Sequence, residues 1–112
     1  MAFNKKNIFP DSEQRIAAIA KALSHPARIV ILRELAQRNT CVCGEIVEVL
    51  PLSQATVSQH LKELKQAGVI SGTVDGTKSC YCIDWQVFDD YRTSVINFLN
   101  ELQKPVELIE CC

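Results

Sequence analysis

Residues 53–70, SQATVSQHLKELKQAGVI, constrain the fold of this chain more than any other segment. Ser53 is a typical helix N-cap residue and Gly68 is a typical C-terminal stop, so the segment predicts one helix. The residues expected to face inward, at helical spacing, are Val57, Leu61 and Leu64. A shorter amphipathic run, GEIVEVL, precedes this helix and is ended by Pro51. Two helices separated by the short break PLS predict a helix-turn-helix.

The segment that follows, VISGTVDGTKSCYCID, predicts a β-hairpin. Asp75 and Gly76 suit the positive φ angles of a type I′ turn, and β-prone residues flank them on both sides. We interpret this hairpin as a wing beside the helix-turn-helix. The expected fold class is therefore a mainly α protein with a β-hairpin wing, a winged helix-turn-helix.

Three further helices complete the predicted architecture. They run from an N-cap at Ser12 to about Leu23, from Pro26 to a stop at Asn39, and from about Trp85 to just before Pro105. The residues expected on their buried sides are Ile16, Ile19, Ala20 and Leu23 in the first, Ile29, Leu32 and Leu35 or Ala36 in the second, and Phe88, Tyr91, Val95, Phe98, Leu99 and Leu102 in the third.

Length and charge limit the classes of protein to which the chain can belong. Its 112 residues predict one domain, 1–112, with a core from 12 to 102 and a tail from 103 to 112, and chains this small often complete their burial by dimerising. No apolar run suits a membrane span or a secretory signal, so we expect a cytoplasmic protein. Residues 1–78 contain ten Lys or Arg against seven Asp or Glu, whereas residues 79–112 contain two against six. Any polyanion should therefore meet the first part of the chain.

The outward face of the helix after Ser53 suits contact with DNA. Small, amide and basic side chains that can reach base edges in a major groove are Ser53, Gln54, Ala55, Ser58, Gln59 and Lys62. Lys78, at the wing tip, is expected at a phosphate or in the minor groove. His60 has two alternatives, contact with a phosphate or base, or packing within the helix-turn-helix. We interpret His25 as a helix-start residue.

Six cysteines in a reducing cytosol indicate metal binding, redox sensing or buried thiols rather than a disulfide scaffold. Cys41 and Cys43 precede the helix-turn-helix, and the same Cys-x-Cys spacing recurs at Cys80 and Cys82 in the second arm of the hairpin. In winged helices, the residues before the helix-turn-helix often form a short strand that pairs with this arm. Because alternate residues of a strand share a face, the four sulfurs then converge on one outer face as ligands for a soft ion. The alternative is that some of these thiols are small apolar fillers.

The segments ALSHPARIVILRELAQ and SQATVSQHLKELKQAGVI, with the Asp-Gly hairpin, resemble the ArsR/SmtB family of arsenic- and metal-responsive bacterial repressors over roughly residues 12–102. The CVC motif resembles the thiolate site of the arsenic and cadmium/lead branches. The resemblance implies a homodimer, built from the first and last helices, that releases operator DNA when an inducer binds. The third cysteine of the usual arsenic motif is replaced by Ile46, and no histidine lies beyond His60, so the zinc site of the zinc branch is excluded.

Together these features predict a DNA-binding transcriptional repressor that releases its operator on binding a thiophilic metal or metalloid, As(III) foremost. The predicted ligands are Cys41, Cys43, Cys80 and Cys82, and no organic cofactor or membrane partner is expected. Cys111 and Cys112 are either further ligands or exposed thiols without a role. The alternative function is a repressor of the same fold whose thiols form a redox or persulfide switch. An enzyme is not expected, because neither histidine lies in a recognisable Cys-His arrangement.

Overall fold

The computed structural model describes residues 8–38, 41–43, 50–73 and 80–105. The elements within these ranges are α1 (Asp11–Ala22), α2 (Pro26–Arg38), β1 (Val42–Cys43), α3 (Gln54–Gln66), β2 (Ile70–Thr73), β3 (Cys80–Ile83) and α4 (Trp85–Glu101). The element order is that of a winged helix-turn-helix, so the predicted fold class is confirmed. The predicted helix at 44–50, apart from Leu50, and the predicted turn at Asp75-Gly76 lie outside the described residues.

Helix α3 forms where its local sequence predicts it. Ser53 caps the N-terminus, and its hydroxyl accepts a hydrogen bond from the backbone N–H of Thr56 at 3.3 Å. Gly68 ends the helix at a φ of +86°, a conformation that costs glycine little. The backbone N–H groups of Gly68 and Val69 bond back to carbonyls of the last turn, which is a Schellman motif. The residues predicted to face inward, all of them buried, are Val57, Leu61 and Leu64.

The strands form one antiparallel sheet in the order β1-β3-β2. The central strand β3 pairs with β2 as a hairpin and with β1 through the partners Val42↔Tyr81 and Cys43↔Cys80. Val42 and Tyr81 are buried, so they define the inner face of the sheet. The predicted pairing of the strand before the helix-turn-helix with the second arm of the hairpin is therefore confirmed.

Helices α1 and α2 differ from their predicted details. Pro10 rather than Ser12 precedes the first turn of α1, and Ser12 lies inside that turn, where its hydroxyl donates to Glu13. In α2, Ile29 is 37% exposed, whereas Ile31 is fully buried. The run RIVIL has apolar residues at four successive positions, so periodicity alone did not fix which of them face the core.

The buried residues of these two helices are Ile19 and Ala22 in α1 and Ala27, Ile31, Leu32 and Leu35 in α2. The prediction of Ala20 as buried was therefore wrong, and of the two alternatives in α2 it is Leu35 that is buried and Ala36 that is exposed. Both helices contribute to one apolar core, which they share with α3 and with Val42 and Tyr81 of the sheet.

Helix α4 packs against α1 but has no fully buried residue in the single chain. Phe88 and Tyr91 pack against the core, whereas Phe98, Leu99 and Leu102 are 41%, 57% and 63% exposed. The second half of the predicted apolar stripe therefore faces outward. None of the helices in the described ranges is long and apolar enough to cross a membrane.

Candidate functional site

The N-terminal half of α3 presents an exposed polar face beside the hairpin. Of the residues predicted to contact DNA, the exposed ones are Ser53, Gln54, Ala55, Gln59 and Lys62, and Ser58 is half-buried. The Gln59 amide donates to Glu63 one turn along the helix at 3.3 Å. Thr56, which the sequence analysis did not select, is also exposed, and its hydroxyl lies 3.0 Å from that of Ser53. Lys78 lies outside the described residues.

The placement of His60 differs from that of its polar neighbours on α3. Its side chain is only 8% exposed, and its ring lies 4.4 Å from the ring of His25, measured between centroids. Nδ1 of His60 accepts a hydrogen bond from Nε of Arg28 at 3.1 Å. Of the two alternatives for His60, this burial favours packing within the helix-turn-helix.

His25 acts at the start of α2, as predicted, because its Nδ1 accepts a hydrogen bond from the backbone N–H of Ala27 at 3.0 Å. The sequence analysis missed Arg28, whose side chain joins α2 to α3. Arg28 and His60 are 32 residues apart in the chain, and no local pattern marks a contact over that separation. Only the tertiary fold brings them together.

Cys41, directly before β1, and the cysteines of β3 lie on the face of the sheet opposite Tyr81. Cys41 and Cys80 are exposed and Cys82 is half-buried, whereas the residues between them, Val42 and Tyr81, point into the core. Cys41 and Cys82 face each other with their Cα atoms 4.4 Å apart. This is the spacing of a narrow, non-hydrogen-bonded pair in an antiparallel ladder. Because pair types alternate along a ladder, Cys43 and Cys80 form the next narrow pair.

A disulfide joins Cys41 to Cys82, and Cys80 is also disulfide-bonded. Among the residues that the structure describes, no group of three or more His, Cys, Asp or Glu side chains is arranged to hold a metal ion. The side chain of Cys43, together with Cys111 and Cys112, lies outside the described part of the chain. Cys41, Cys80 and Cys82 are therefore oxidised in the structure, and the sulfurs of Cys41 and Cys82 are bonded to each other.

Comparison with known proteins agrees with this architecture. A family model described as a helix-turn-helix domain matches residues 23–73. An ArsR-like transcriptional regulator from Rhodococcus sp. RHA1 has a similar structure, with a TM-score of 0.67 and 20% identity over 82% of this chain and 86% of that chain. The transcriptional repressor SmtB of Mycobacterium tuberculosis is 43% identical over 63 residues, which are 56% of this chain and 46% of that protein.

An arsenical resistance operon repressor from Staphylococcus aureus is 30% identical over 92 residues, covering 80% of this chain and 88% of that protein. The chain belongs to the ArsR/SmtB family. This ArsR/SmtB protein is accordingly a DNA-binding transcriptional repressor and not an enzyme. Helix α3 occupies the position of the recognition helix in its helix-turn-helix, and β2 and β3 form its wing.

Proposed function

We propose that this repressor releases operator DNA when a thiophilic metal or metalloid, As(III) foremost, binds the cysteines on the outer face of the wing sheet. The proposed ligands are Cys41, Cys43, Cys80 and Cys82. The observation that carries the proposal is the register of β1 on β3, which sets Cys43 opposite Cys80 and Cys41 opposite Cys82. Thiolates prefer soft or borderline ions such as As(III), Cd(II), Pb(II) and Cu(I). The relative that is named an arsenical resistance operon repressor supports the same class of inducer.

The strand geometry suits a multi-sulfur site once the thiols are reduced. The two cysteine pairs are two residues apart along the strands, which is about 7 Å. Four sulfurs on such a rectangle can turn toward one ion that is held about 2.3 Å from each of them. A disulfide between Cys41 and Cys82 blocks this coordination because the sulfurs are already bonded to each other. The proposed inducer therefore acts on the reduced protein.

Release of DNA follows from the connection of β1 to the helix-turn-helix. β1 ends at Cys43, directly before the segment that leads to Leu50 and α3. An ion that draws β1 against β3 fixes the start of this segment and, through it, the position of the recognition helix. The ion releases DNA only to the extent that it binds the DNA-free conformation more tightly than the DNA-bound one.

Mass spectrometry of the reduced protein under non-denaturing conditions tests this proposal. We expect one As(III) or Cd(II) ion per protomer and the loss of one thiol proton for each coordinated sulfur. Protein oxidised beforehand is the matched control, and it should take up no ion. A reduced protein that gains no ion mass at micromolar metal concentration would contradict the proposal.

The disulfide between Cys41 and Cys82 favours a second candidate function, a thiol redox switch in the same repressor. In this case a Cys41 thiolate attacks a low-molecular-weight disulfide and releases one thiol, and the Cys82 thiolate then displaces the second thiol as the cross-strand disulfide forms. The protein loses two hydrogens for each disulfide that forms, and it binds no ion. The same mass measurement separates the two candidates, because the redox switch gives a mass decrease of about two units for each disulfide formed on oxidation.

The exposed face of α3 is proposed to read the operator through Ser53, Gln54, Ala55, Ser58, Gln59 and Lys62, with Lys78 of the wing on the phosphate backbone. We expect Gln59→Ala to relax base preference at one position in each half-site, at a cost of about 1–3 kcal/mol for the preferred sequence. Gln59→Ala also removes the exposed hydrogen bond to Glu63, which contributes only about 0.2–0.5 kcal/mol to the stability of the helix.

Lys78→Ala is the comparison for Gln59→Ala, because loss of a phosphate contact should weaken all sequences alike and flatten the salt dependence of binding. Both variants are measured by fluorescence anisotropy on the preferred duplex and on random DNA. Equal effects of the two substitutions on both DNAs would be incompatible with this division of roles.

A homodimer is proposed because α4 leaves apolar residues uncovered in the single chain. Ile96, Phe98 and Leu99 of α4 and Leu102 at its C-cap are each at least 41% exposed. Several large apolar side chains exposed at one end of a helix are typical of a protein interface. Two protomers would present two recognition helices to the half-sites of a palindromic operator, about one helical turn apart. We propose that this repressor acts in the cytoplasm.

A further inference from the structure

One arginine links the recognition helix α3 to α1 and α2. Nε of Arg28 donates to Nδ1 of His60 in α3 at 3.1 Å. Nη1 of the same guanidinium donates to the carbonyl oxygens of Lys21 and Ala22, at 3.4 and 3.3 Å, in the last turn of α1. Arg28 itself lies in the first turn of α2. Its side chain therefore holds the C-terminal end of α1 and the middle of α3 at a fixed separation.

The acceptor for Arg28 on α3 is almost completely buried. His60 is 8% exposed, and its ring packs on that of His25 at an interplanar angle of 49°. His25 is tied to the start of α2 through Ala27. These are the only two histidines in the 112-residue chain. Both of them lie at this one junction of α1, α2 and α3.

We propose that Arg28 is a positioning residue for the recognition helix, and that its hydrogen bond to His60 makes operator binding sensitive to pH. Nδ1 of an imidazole accepts a hydrogen bond only while it carries no proton, and in the charged ring both nitrogens are donors. A proton on His60 therefore turns the contact with Arg28 into a repulsion between two cations. The recognition helix then loses its link to α1 and α2, and the repressor binds DNA less tightly.

The groups around His60 oppose its protonation. Burial lowers the pKa of His60 first, and His25 and Arg28 lower it further, whereas Glu63 on the same helix raises it. Lys21 of α1 lines a groove between α1 and α3 together with Glu63. The pKa of His60 in the folded chain lies below the ordinary value of 6.5. The stability that the folded protein gains from neutral His60 is therefore complete above about pH 6.5 and is lost as the pH falls through the folded pKa.

The sign of the pH effect separates this role from a direct contact with DNA. A histidine beside a phosphate gains a favourable ion pair when it is protonated, so operator binding would strengthen as the pH falls. A histidine that accepts a hydrogen bond from Arg28 must be neutral to hold the recognition helix in place, so operator binding weakens as the pH falls. The inference rests on the DNA-binding function and the contacts of Arg28, and it is independent of the cysteine ligands.

The test uses the reduced 112-residue protein with a chelator present and a fluorescent duplex that the protein selects from a random pool at about pH 7.5. We expect the association constant to fall from about pH 7.5 to about pH 5.5 at constant ionic strength. The limiting slope is about tenfold per pH unit for each protomer. Affinity that rises or stays constant over this range overturns the proposal.

His60→Asn is the decisive variant, because the asparagine Oδ1 can accept from Arg28 at any pH. We expect near wild-type affinity at about pH 7.5 and a flat profile below it. His25→Asn is the matched control, since it keeps an acceptor for the Ala27 N–H and leaves His60 in place, and it should retain the fall in affinity. A His60→Asn protein with the wild-type profile would overturn the proposal.

Nuclear magnetic resonance of the wild-type protein provides a test that needs no variant. Because Nδ1 of His60 accepts from Arg28, the neutral ring must carry its proton on Nε2. We expect this tautomer above about pH 7 and its loss in parallel with operator affinity as the pH falls. The opposite tautomer, with the proton on Nδ1, would overturn the proposal.

Discussion

Protein carrying Cys41→Ser and Cys43→Ser is expected to bind its operator as tightly as the reduced wild-type chain, yet to remain bound when As(III) or Cd(II) is added. Operator affinity should persist because neither cysteine lies on the exposed face of α3. Release should be lost because serine hydroxyls do not replace thiolates for soft ions. The coupling free energy between ion binding and DNA binding, which the two substitutions remove, is typically about 1–3 kcal/mol, or roughly 5- to 150-fold in operator affinity. Fluorescence anisotropy with and without the ion measures it directly.

Two matched double substitutions locate the remaining ligands. Cys80→Ser with Cys82→Ser removes the sulfurs of β3, and loss of the response in this protein supports a site shared between the strands. Cys111→Ser with Cys112→Ser is the control, and it should leave release intact. If it abolishes release while the β3 variant responds normally, the remaining ligands lie in the tail. Release by metal in all three double variants would refute the thiolate site while leaving the DNA-binding function unaffected.

Replacing Gly72 by alanine should destabilise the folded protein by at least about 3 kcal/mol. Gly72 lies in β2 opposite Tyr81, at a φ of +120° that side chains rarely adopt. A Cβ at this position would overlap the carbonyl oxygen of Cys80 and lie 2.9 Å from the Cα of Tyr81. Both are backbone atoms of the central strand, so neither can move without disturbing the sheet.

Gly68→Ala is the matched control, because Gly68 also has a positive φ, of +86°, but its added Cβ would meet nothing within 4 Å. We expect a loss of only about 1 kcal/mol from the left-handed backbone. Chemical denaturation of both variants at one protein concentration gives the comparison. Similar losses for the two substitutions would show that the close approach of β2 to β3 contributes little.

The elements predicted most accurately are those whose ends carry local chemical signals. Ser53 and Gly68 fix both ends of α3 without help from the rest of the fold. The pairing of β1 with β3 was expected from the winged-helix fold, and the apolar residues between the cysteines of the two Cys-x-Cys motifs agree with it. Ser12 was a misleading signal, because α1 begins at Asp11 with Pro10 at the N-cap position, and no side chain caps it. A cap residue predicts a helix end only where no neighbour competes for the position.

The contact between Arg28 and His60 could not be predicted, because it depends on how α2 packs against α3. The exposure of Ile29 has the same origin, since the tilt of α2 decides which residue of an all-apolar run meets the core. The exposure of the apolar residues in the second half of α4 has a different cause. The periodicity identified Phe98 and Leu99 as apolar-face residues, but a single chain offers them no complete covering surface.

The order β1-β3-β2 makes the segment that contains α3 an insertion between two strands that both pair with β3. The chain leaves the sheet at Cys43 and returns to it at Ile70. Side chains on the exposed face of α3 can therefore change without altering the cysteine pairs, and the cysteines can change without altering that face. Under the proposed function, operator choice and chemical signal are therefore separable, so a lineage can exchange one while keeping the other, and an engineer can graft a new recognition surface onto the same sheet.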